Sequence, residues 1–438
     1  MFINYCDKIT YRFYKLQPSI LVVYNFSNSS TYYYDSISAD LLYAILLKNE
    51  NKIKKLIELN EITDEDYYEF IKETEILFNT SKENTTYSSS HINEVTDNEK
   101  LVSQIQNDLY KQNIMFKFHI DVTGRCNFRC VHCYHPFENY KKDTLNIDDI
   151  DSLFAKLYSL GVFIITISGG EPFLRKDIFE IIKKGEKYGF VFQILTNGYL
   201  LNEETIAKIA KYNVSKLSFS YYGSENSHFL ITGHSDFRPK LLEVVNLCIK
   251  YNIKYELKFI LLKININDFD EYIDLCKKLN IRPMFEPCLI PKLDGDTSNF
   301  KYKLDFESYR KFMISHIDFF YDGVDLTQYK EKTINCSAGR YGLYCDHEGN
   351  IYPCVSYREY LGNYTEVINI WNNSNKLKVL RGRKFKQFTT FNKFSFCKYC
   401  YQICPGLSLC ENNDSFKCYN SGCLVAEVIE EVKNNTCN

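Results

Sequence analysis

The chain has 438 residues, 45% hydrophobic and 25% charged, an ordinary globular composition that excludes a disordered polymer and allows about two to four domains. Its 53 basic and 55 acidic residues leave a net charge of -2, which offers no field for a nucleic-acid backbone and excludes nucleic acid as the main partner. No run reaches ~18 apolar residues and no basic region leads into an apolar core and cleavage site near the start, so the expectation is a cytoplasmic protein with no membrane partner.

In chain order, the β-branched and aromatic runs Tyr11 to Tyr14, Ile20 to Tyr24 and Thr31 to Tyr34 predict three short strands. Helical apolar spacing follows over Asp40 to Leu47, Lys52 to Leu59 and Asp64 to Leu77, the last with Thr63 as N-cap and an acidic first turn. These elements make a small separate unit over 1–80. The polar, aperiodic stretch Ser81 to Lys100 lies in a linker over 81–110.

From Lys117 strands alternate with helices, the signature of parallel β/α units. The predicted strands are Lys117 to Val122, Val162 to Ser168, Val191 to Thr196, Lys216 to Ser220, Lys254 to Leu262 and Arg282 to Glu286. The helices between them are Ile147 to Leu160, Asp177 to Tyr188, Glu203 to Lys211, Leu241 to Tyr251 and Asp268 to Leu279. Six such units over 111–293 predict an α/β fold, an open or partial (βα)6 barrel whose ligands sit at the carboxyl ends of the strands. A connecting segment, 294–335, leads to a cysteine-rich region over 336–438.

Seventeen cysteines are too many for a reducing compartment unless they hold metal. Cys6, Cys248, Cys276 and Cys288 lie singly among apolar residues and read as small core side chains, and Cys437 as a bystander in a polar terminus. Cys126, Cys130 and Cys133 stand in C-x3-C-x2-C spacing directly after a strand. Three thiolates on one tight loop can take three corners of a [4Fe-4S] cube and leave the fourth iron open. Zinc competes for the same loop, with His132 or His135 as fourth ligand. As loop histidines, His132, His135 and His228 read as solvated rather than ligating.

With Tyr134 after the third cysteine, this loop resembles that of the radical S-adenosylmethionine (SAM) superfamily. Ser168-Gly169-Gly170-Glu171-Pro172 at the next strand end resembles the family motif that binds the methionine amino group of SAM. The glycines there let the backbone approach a ligand closely. Asn197 of Thr196-Asn197-Gly198 and Ser220 of LSFSYYGSENSHFLITGHSDF stand where the family also meets SAM, while Phe229 replaces the usual acidic residue after the histidine. The resemblance implies a TIM-like radical SAM barrel. SAM would chelate the open iron, and one electron would release a 5'-deoxyadenosyl radical that abstracts hydrogen from substrate under anaerobic conditions.

In the last quarter, YCDHEGNIYPC reads as a hairpin turned at Glu348-Gly349-Asn350. The order from Cys336 through Gly349 and Cys354 to CKYCYQICPGLSLCENNDSFKCYNSGC resembles the SPASM extension, which binds two auxiliary [4Fe-4S] clusters. The spacing C-x2-C-x3-C-x5-C stands where C-x2-C-x5-C-x3-C is usual. Carried over by position, one auxiliary cluster takes Cys397, Cys400, Cys404 and Cys423. The other takes Cys336, Cys354 and Cys410, with its fourth corner left to Cys345, Cys418 or a substrate thiolate. A zinc ribbon is the structural alternative.

The first 80 residues resemble, in pattern, the winged-helix-like PqqD-type domain by which peptide maturases read a precursor, adding the leader as a strand at the sheet edge. The function these resemblances imply is modification of a ribosomally made peptide, first of all thioether cross-linking of a cysteine sulfur to carbon, with a flavodoxin or ferredoxin as electron donor. The alternatives are carbon–carbon cross-linking, epimerisation, sulfatase maturation and, outside catalysis, an iron–sulfur redox sensor. No general acid or base is assigned.

Overall fold

A computed structural model describes residues 9–27, 30–78, 106–136, 143–235, 237–320, 336–388, 393–400 and 403–436. The linker Ser81 to Lys100, Cys6 and Cys437 lie outside them. Among the described residues no helix is long and apolar enough to cross a membrane.

Strands β1 (Ile9–Tyr14), β2 (Ile20–Asn25) and β3 (Ser30–Asp35) form an antiparallel sheet in the order β1-β2-β3, followed by α1 (Ser36–Leu46), α2 (Glu50–Leu59) and α3 (Asp64–Phe78). All six residues of β2 are buried, so both faces of the sheet are covered. Alternation along the strand explains how. Leu21 and Val23 pack with Ala39 and Leu42 of α1. Ile20, Val22 and Tyr24 point the other way and join Tyr14, Leu109, Phe116, Phe163 and Val191. Phe116, Phe163 and Val191 begin the barrel strands, so the sheet lies on the floor of the barrel, the end opposite the carboxyl ends of its strands. The Tyr14 hydroxyl donates to the Gly161 carbonyl at 2.8 Å. The unit expected to be separate thus shares an apolar layer with the core, to which burial contributes roughly 1.5–3 kcal/mol per large side chain. A helical turn at 106–111, inside the expected linker, supplies Leu109 to that layer.

The barrel comprises β4 (Lys117–Thr123), α4 (Ile147–Ser159), β5 (Ile164–Gly169), α5 (Ile178–Glu186), β6 (Val191–Thr196), α6 (Glu203–Ile209), β7 (Val214–Tyr221), α7 (Glu225–Thr232), α8 (Phe237–Lys250), β8 (Tyr255–Ile260), α9 (Phe269–Lys278) and β9 (Met284–Glu286). Six parallel strands run β4 to β9 in sequence order, as the alternation predicts. Each helix buries one stripe: Ile178, Ile181, Ile182 and Gly185 on α5 keep helical spacing. The Asn146 side chain caps α4 while Asp149 reaches back to the Asn146 N–H.

After α10 (Phe306–Ser315) come β10 (Gly342–Cys345), β11 (Asn350–Tyr352), β12 (Gly362–Asn363), α11 (Val367–Asn373), α12 (Asn375–Arg381), α13 (Pro405–Asn412) and α14 (Asn420–Thr436). The expected hairpin is β10-β11. Its turn is one step earlier than predicted, because the Asp346 side chain accepts from the N–H groups of Glu348 and Asn350. Its placement was not visible in the spacing. Strand β10 pairs parallel with β4, Gly342 opposite Lys117, so the hairpin extends one nine-stranded sheet, β12-β11-β10-β4-β5-β6-β7-β8-β9. The cysteine-rich region is thereby fixed beside the strand that delivers the first cysteine loop.

Candidate functional site

The loop after β4 carries the three expected core ligands. Cys126 Sγ accepts the Phe128 N–H at 3.4 Å, and Cys133 Sγ the His135 N–H at 3.5 Å. The Tyr222 hydroxyl lies 4.0 Å from Cys130 Sγ. The three thiols are close enough to feel one another's charge. Burial pushes Cys126 up to about 11, Cys133 to about 12 and Cys130 well above its ordinary value. The bare loop therefore holds thiols, and iron must displace their protons to bind.

Three mutually facing sulfurs, two of them already accepting backbone N–H bonds, fit a cube with one iron left open. The histidines that a zinc site would need turn elsewhere. Nε2 of His135 lies 3.4 Å from Asp121 Oδ2, and the His132 ring packs edge-on against Tyr222, with burial lowering its pKa to about 4. Among the described residues no three His, Cys, Asp or Glu side chains converge on a single-ion site. The expectation of solvated histidines is corrected: His135 and His228 are buried, and the His132 ring, half-buried, has its Nδ1 shut from water; His135 packs on Tyr134 and His228 between Tyr221 and Tyr222.

Ser168 to Pro172 straps this loop down. Gly169 has φ +128°, and a Cβ there would meet the Thr123 carbonyl oxygen at 2.2 Å; at Gly170 it would meet that of Arg125 at 2.1 Å. Backbone bonds from Gly170 N to Thr123 O and Glu171 N to Arg125 O, both 2.8 Å, close the seam. The glycines thus serve a close approach to the cysteine loop. Glu171, expected to touch SAM, is fully buried. Its carboxylate accepts from Thr196 Oγ1 (2.7 Å), Asn197 N (2.8 Å) and Phe173 N (3.1 Å). Burial raises its pKa to about 7, against the pull of those three donors. Pro172 is buried and opens a 3-10 turn.

Asn197 donates from Nδ2 to Asn127 Oδ1 at 2.9 Å, tying the end of β6 to the cysteine loop. The Ser220 side chain meets the Tyr222 hydroxyl. Tyr134 gives its carbonyl to Leu293 N at 2.8 Å, and its hydroxyl meets Ser168. Sequence reading missed Tyr222, which stands within the quoted SFSYYG run, and Asp121, a charged residue inside an apolar strand.

The electrostatic neighbours of the auxiliary cysteines do not follow the positional assignment throughout. Cys354 is electrostatically coupled to Cys336 and Cys404, and Cys404 to Cys336 and Cys410. Gly406 lies against the Ser356–Tyr357 backbone, where a Cβ would meet Ser356 C at 2.7 Å, and Cys410 Sγ is 3.7 Å from Ser356 O. These contacts hold the start of α13 to the segment following Cys354. Cys423, by contrast, is coupled first to Cys418, then to Cys400 and Cys397. Cys404 thus stands within reach of Cys336 and Cys354, and Cys418, one of the options weighed for their fourth corner, beside Cys423. The cause is Pro405: it starts α13 directly after Cys404, turning that thiol toward Leu407 N (3.5 Å) and the Cys336 side. Cys345, a candidate fourth ligand, is fully buried on β10 in the main core beside Asp346 and Asp121. Cys248 and Cys276 are buried as expected, whereas Cys288 is half-buried near Cys404, Glu411 and Lys303.

Residues 120–276 match the family described as the Radical SAM superfamily, and residues 336–401 an iron-sulfur cluster-binding domain, SPASM. The second match ends before Cys404. The AdoMet-dependent heme synthase of Methanosarcina barkeri is 24% identical over 315 residues, 65% of this chain and 89% of that protein. Its Fe-coproporphyrin III synthase is 30% identical over 162 residues, 37% of this chain and 41% of that protein. Among solved structures, Streptococcus suis SuiB bound to S-adenosylmethionine superposes with TM-score 0.60 at 17% identity, covering 96% of this chain and all of that one. SuiB has also been solved with its precursor peptide SuiA. Native anSMEcpe with bound AdoMet and the Cp18Cys peptide superposes with TM-score 0.59 at 18% identity, covering 74% of this chain and 98% of that one.

Proposed function

From its place as a radical SAM superfamily enzyme with a SPASM domain, we propose that the chain modifies a ribosomally made precursor peptide, forming thioether cross-links from cysteine sulfur to carbon. When bound, a cluster on Cys126, Cys130 and Cys133 with SAM at its open iron supplies one-electron cleavage of the sulfonium and hydrogen abstraction from substrate. The chain's own residues position and enclose. The strap Ser168 to Pro172 holds the cysteine loop, Asn197 and Ser220 brace its flanks, and Tyr134 and Tyr222 wall the sulfurs from water.

Each auxiliary cube would have four protein thiols: Cys336, Cys354, Cys404 and Cys410 in one, Cys397, Cys400, Cys418 and Cys423 in the other. Neither then keeps a corner for substrate sulfur, and their part would be to accept the electron released on bond formation. A flavodoxin or ferredoxin would supply the first electron.

The peptide reading is carried by the N-terminal sheet. Among the described residues β3 pairs with β2 alone beside α3, where Tyr34 meets Phe70 edge-on, so an extended leader has an edge to join. The likeness to SuiB spans 96% of the chain and that to anSMEcpe 74%, which favours precursor recognition over sulfatase maturation. Adjacent residues of an antiparallel strand send their N–H groups to opposite sides. Proline placed in turn at Tyr32 and Tyr33 therefore removes one bond to β2 and one donor at the open edge. The edge-facing substitution should weaken binding of the leader of a candidate precursor peptide, sought among the short reading frames beside the gene, while thermal stability holds. Equal affinity in both variants would remove the leader reading. Deleting the unit is a poorer test, since it would bare Phe116, Phe163 and Val191.

A tetrapyrrole substrate is the second reading, favoured by the two Methanosarcina barkeri relatives. Turnover of Fe-coproporphyrin III without peptide modification would establish it.

A further inference from the structure

The guanidinium of Arg358, in the segment between β11 and β12, lies with its central carbon 5.5 Å from the centroid of the Tyr134 ring. Its Nε and Nη2 are buried and have no hydrogen-bond partner among the described residues. A buried charged donor left unsatisfied costs considerable free energy, so such a group marks a place where a ligand completes the bonding. The carboxylates nearby are already engaged. Glu359 accepts from the Tyr357 hydroxyl at 2.8 Å and faces Lys376, Asp121 accepts from Tyr344, and Glu411 is paired with Lys303 at 3.0 Å.

Its surroundings narrow the ligand. Tyr134 directly follows the third core cysteine, and its hydroxyl meets Ser168, the residue that opens the strap expected to face the methionine end of SAM. That end carries an amino group and a carboxylate. Arg125 is committed to Asp143, and Arg175 to Asp177 and the Val122 carbonyl, so neither is available to a carboxylate. A planar guanidinium with two free donors matches one in fork geometry.

Resting on the radical SAM assignment and independent of which substrate is used, we propose that Arg358, supplied by the SPASM region, binds the carboxylate of the methionine moiety of SAM. The SPASM hairpin thereby completes the cofactor pocket of the barrel.

The test is equilibrium binding of SAM and of decarboxylated SAM to the anaerobically reconstituted full chain, as wild type, Arg358→Lys and Arg358→Gln. Arg358→Gln should weaken SAM roughly tenfold to a hundredfold, with Arg358→Lys between, since a charge-assisted bond is lost. Decarboxylated SAM should bind all three proteins alike. Iron content and the electron paramagnetic resonance of each cluster are read in parallel, and Arg358→Lys serves alone if Arg358→Gln loses iron. Unchanged SAM affinity overturns the proposal. So does an equal loss for both ligands, which would make Arg358 a structural residue. A shifted auxiliary-cluster potential with SAM affinity intact overturns it too, assigning the arginine to the cluster of Cys410. None of these outcomes depends on the peptide reading.

Discussion

The Tyr344 hydroxyl donates a 2.5 Å hydrogen bond to Asp121 Oδ2, joining the first SPASM strand to the barrel strand that leads into the cysteine loop. Asp121 is fully buried. Burial opposes its charge, but bonding to His135, the charges of His135 and His119, and the Tyr344 bond hold its pKa below the usual carboxylate range. Removing one partner of a buried charge costs about 1.5–3 kcal/mol. Tyr344→Phe should therefore lower unfolding free energy by that amount in anaerobic denaturant titration and loosen the loop that His135 shares. Equal stability in the two proteins would show that the bond does not hold the domains together.

The strap gives a second prediction. At Gly169 and Gly170 a methyl group would press on backbone oxygen at 2.2 and 2.1 Å, which cannot yield as a side chain tip can. Either alanine substitution should reduce iron at the core cluster and abolish SAM-dependent 5'-deoxyadenosine formation, while the auxiliary clusters stay. Retained cleavage would mean that the seam to Thr123 and Arg125 is dispensable.

Glu171 makes stability depend on pH. Its folded pKa, about 7, stands above the unfolded value of 4.5, so the folded state holds a proton that the unfolded state releases between those values. Stability from this group is greatest below about pH 4.5 and falls as pH rises through 7. The full swing is on the order of 3 kcal/mol. Denaturant titration of the holoprotein at pH 5 and pH 8 should show the loss in wild type and a flatter profile in Glu171→Gln. Parallel profiles would place the titration elsewhere.

The alternation of strand and helix made the six parallel strands legible, because each buried face repeats with its own period over a local stretch. Pairings between distant residues were not. Nothing local in Gly342 to Cys345 announces that it will lie along Lys117 to Ile120, and burial of both faces of β2 becomes intelligible only once Phe116 and Phe163 lie beneath it. At the site, spacing located the core thiols but not the protein contacts of Gly169, Gly170 and Glu171, which reach Thr123, Arg125, Thr196 and Asn197 across the chain. The auxiliary partition proposed above is likewise not written in linear order. It depends on the helix that Pro405 starts, and that helix moves Cys404 away from its neighbours in sequence.

That partition is testable by counting iron. Substituting Cys404 and Cys423 together removes a ligand from each auxiliary group in the folded arrangement but two ligands from one cluster in the positional one. The double alanine variant should lose about eight irons, two cubes of four, and single variants about four each. A double variant that loses only about four irons restores the positional assignment.

The central claim is that the barrel's radical chemistry closes a thioether in a peptide. The most direct measurement is intact-mass and alkylation analysis of a candidate precursor, a short cysteine-containing peptide sought among the reading frames beside the gene, co-expressed anaerobically with this chain or with its Cys126, Cys130 and Cys133 triple alanine variant. A thioether forms with loss of two hydrogens, one from sulfur and one from carbon. The account predicts a peptide two hydrogens lighter per link, with the linked cysteine resistant to alkylation, only with the intact chain. A peptide of unchanged mass alongside continued SAM cleavage would contradict it.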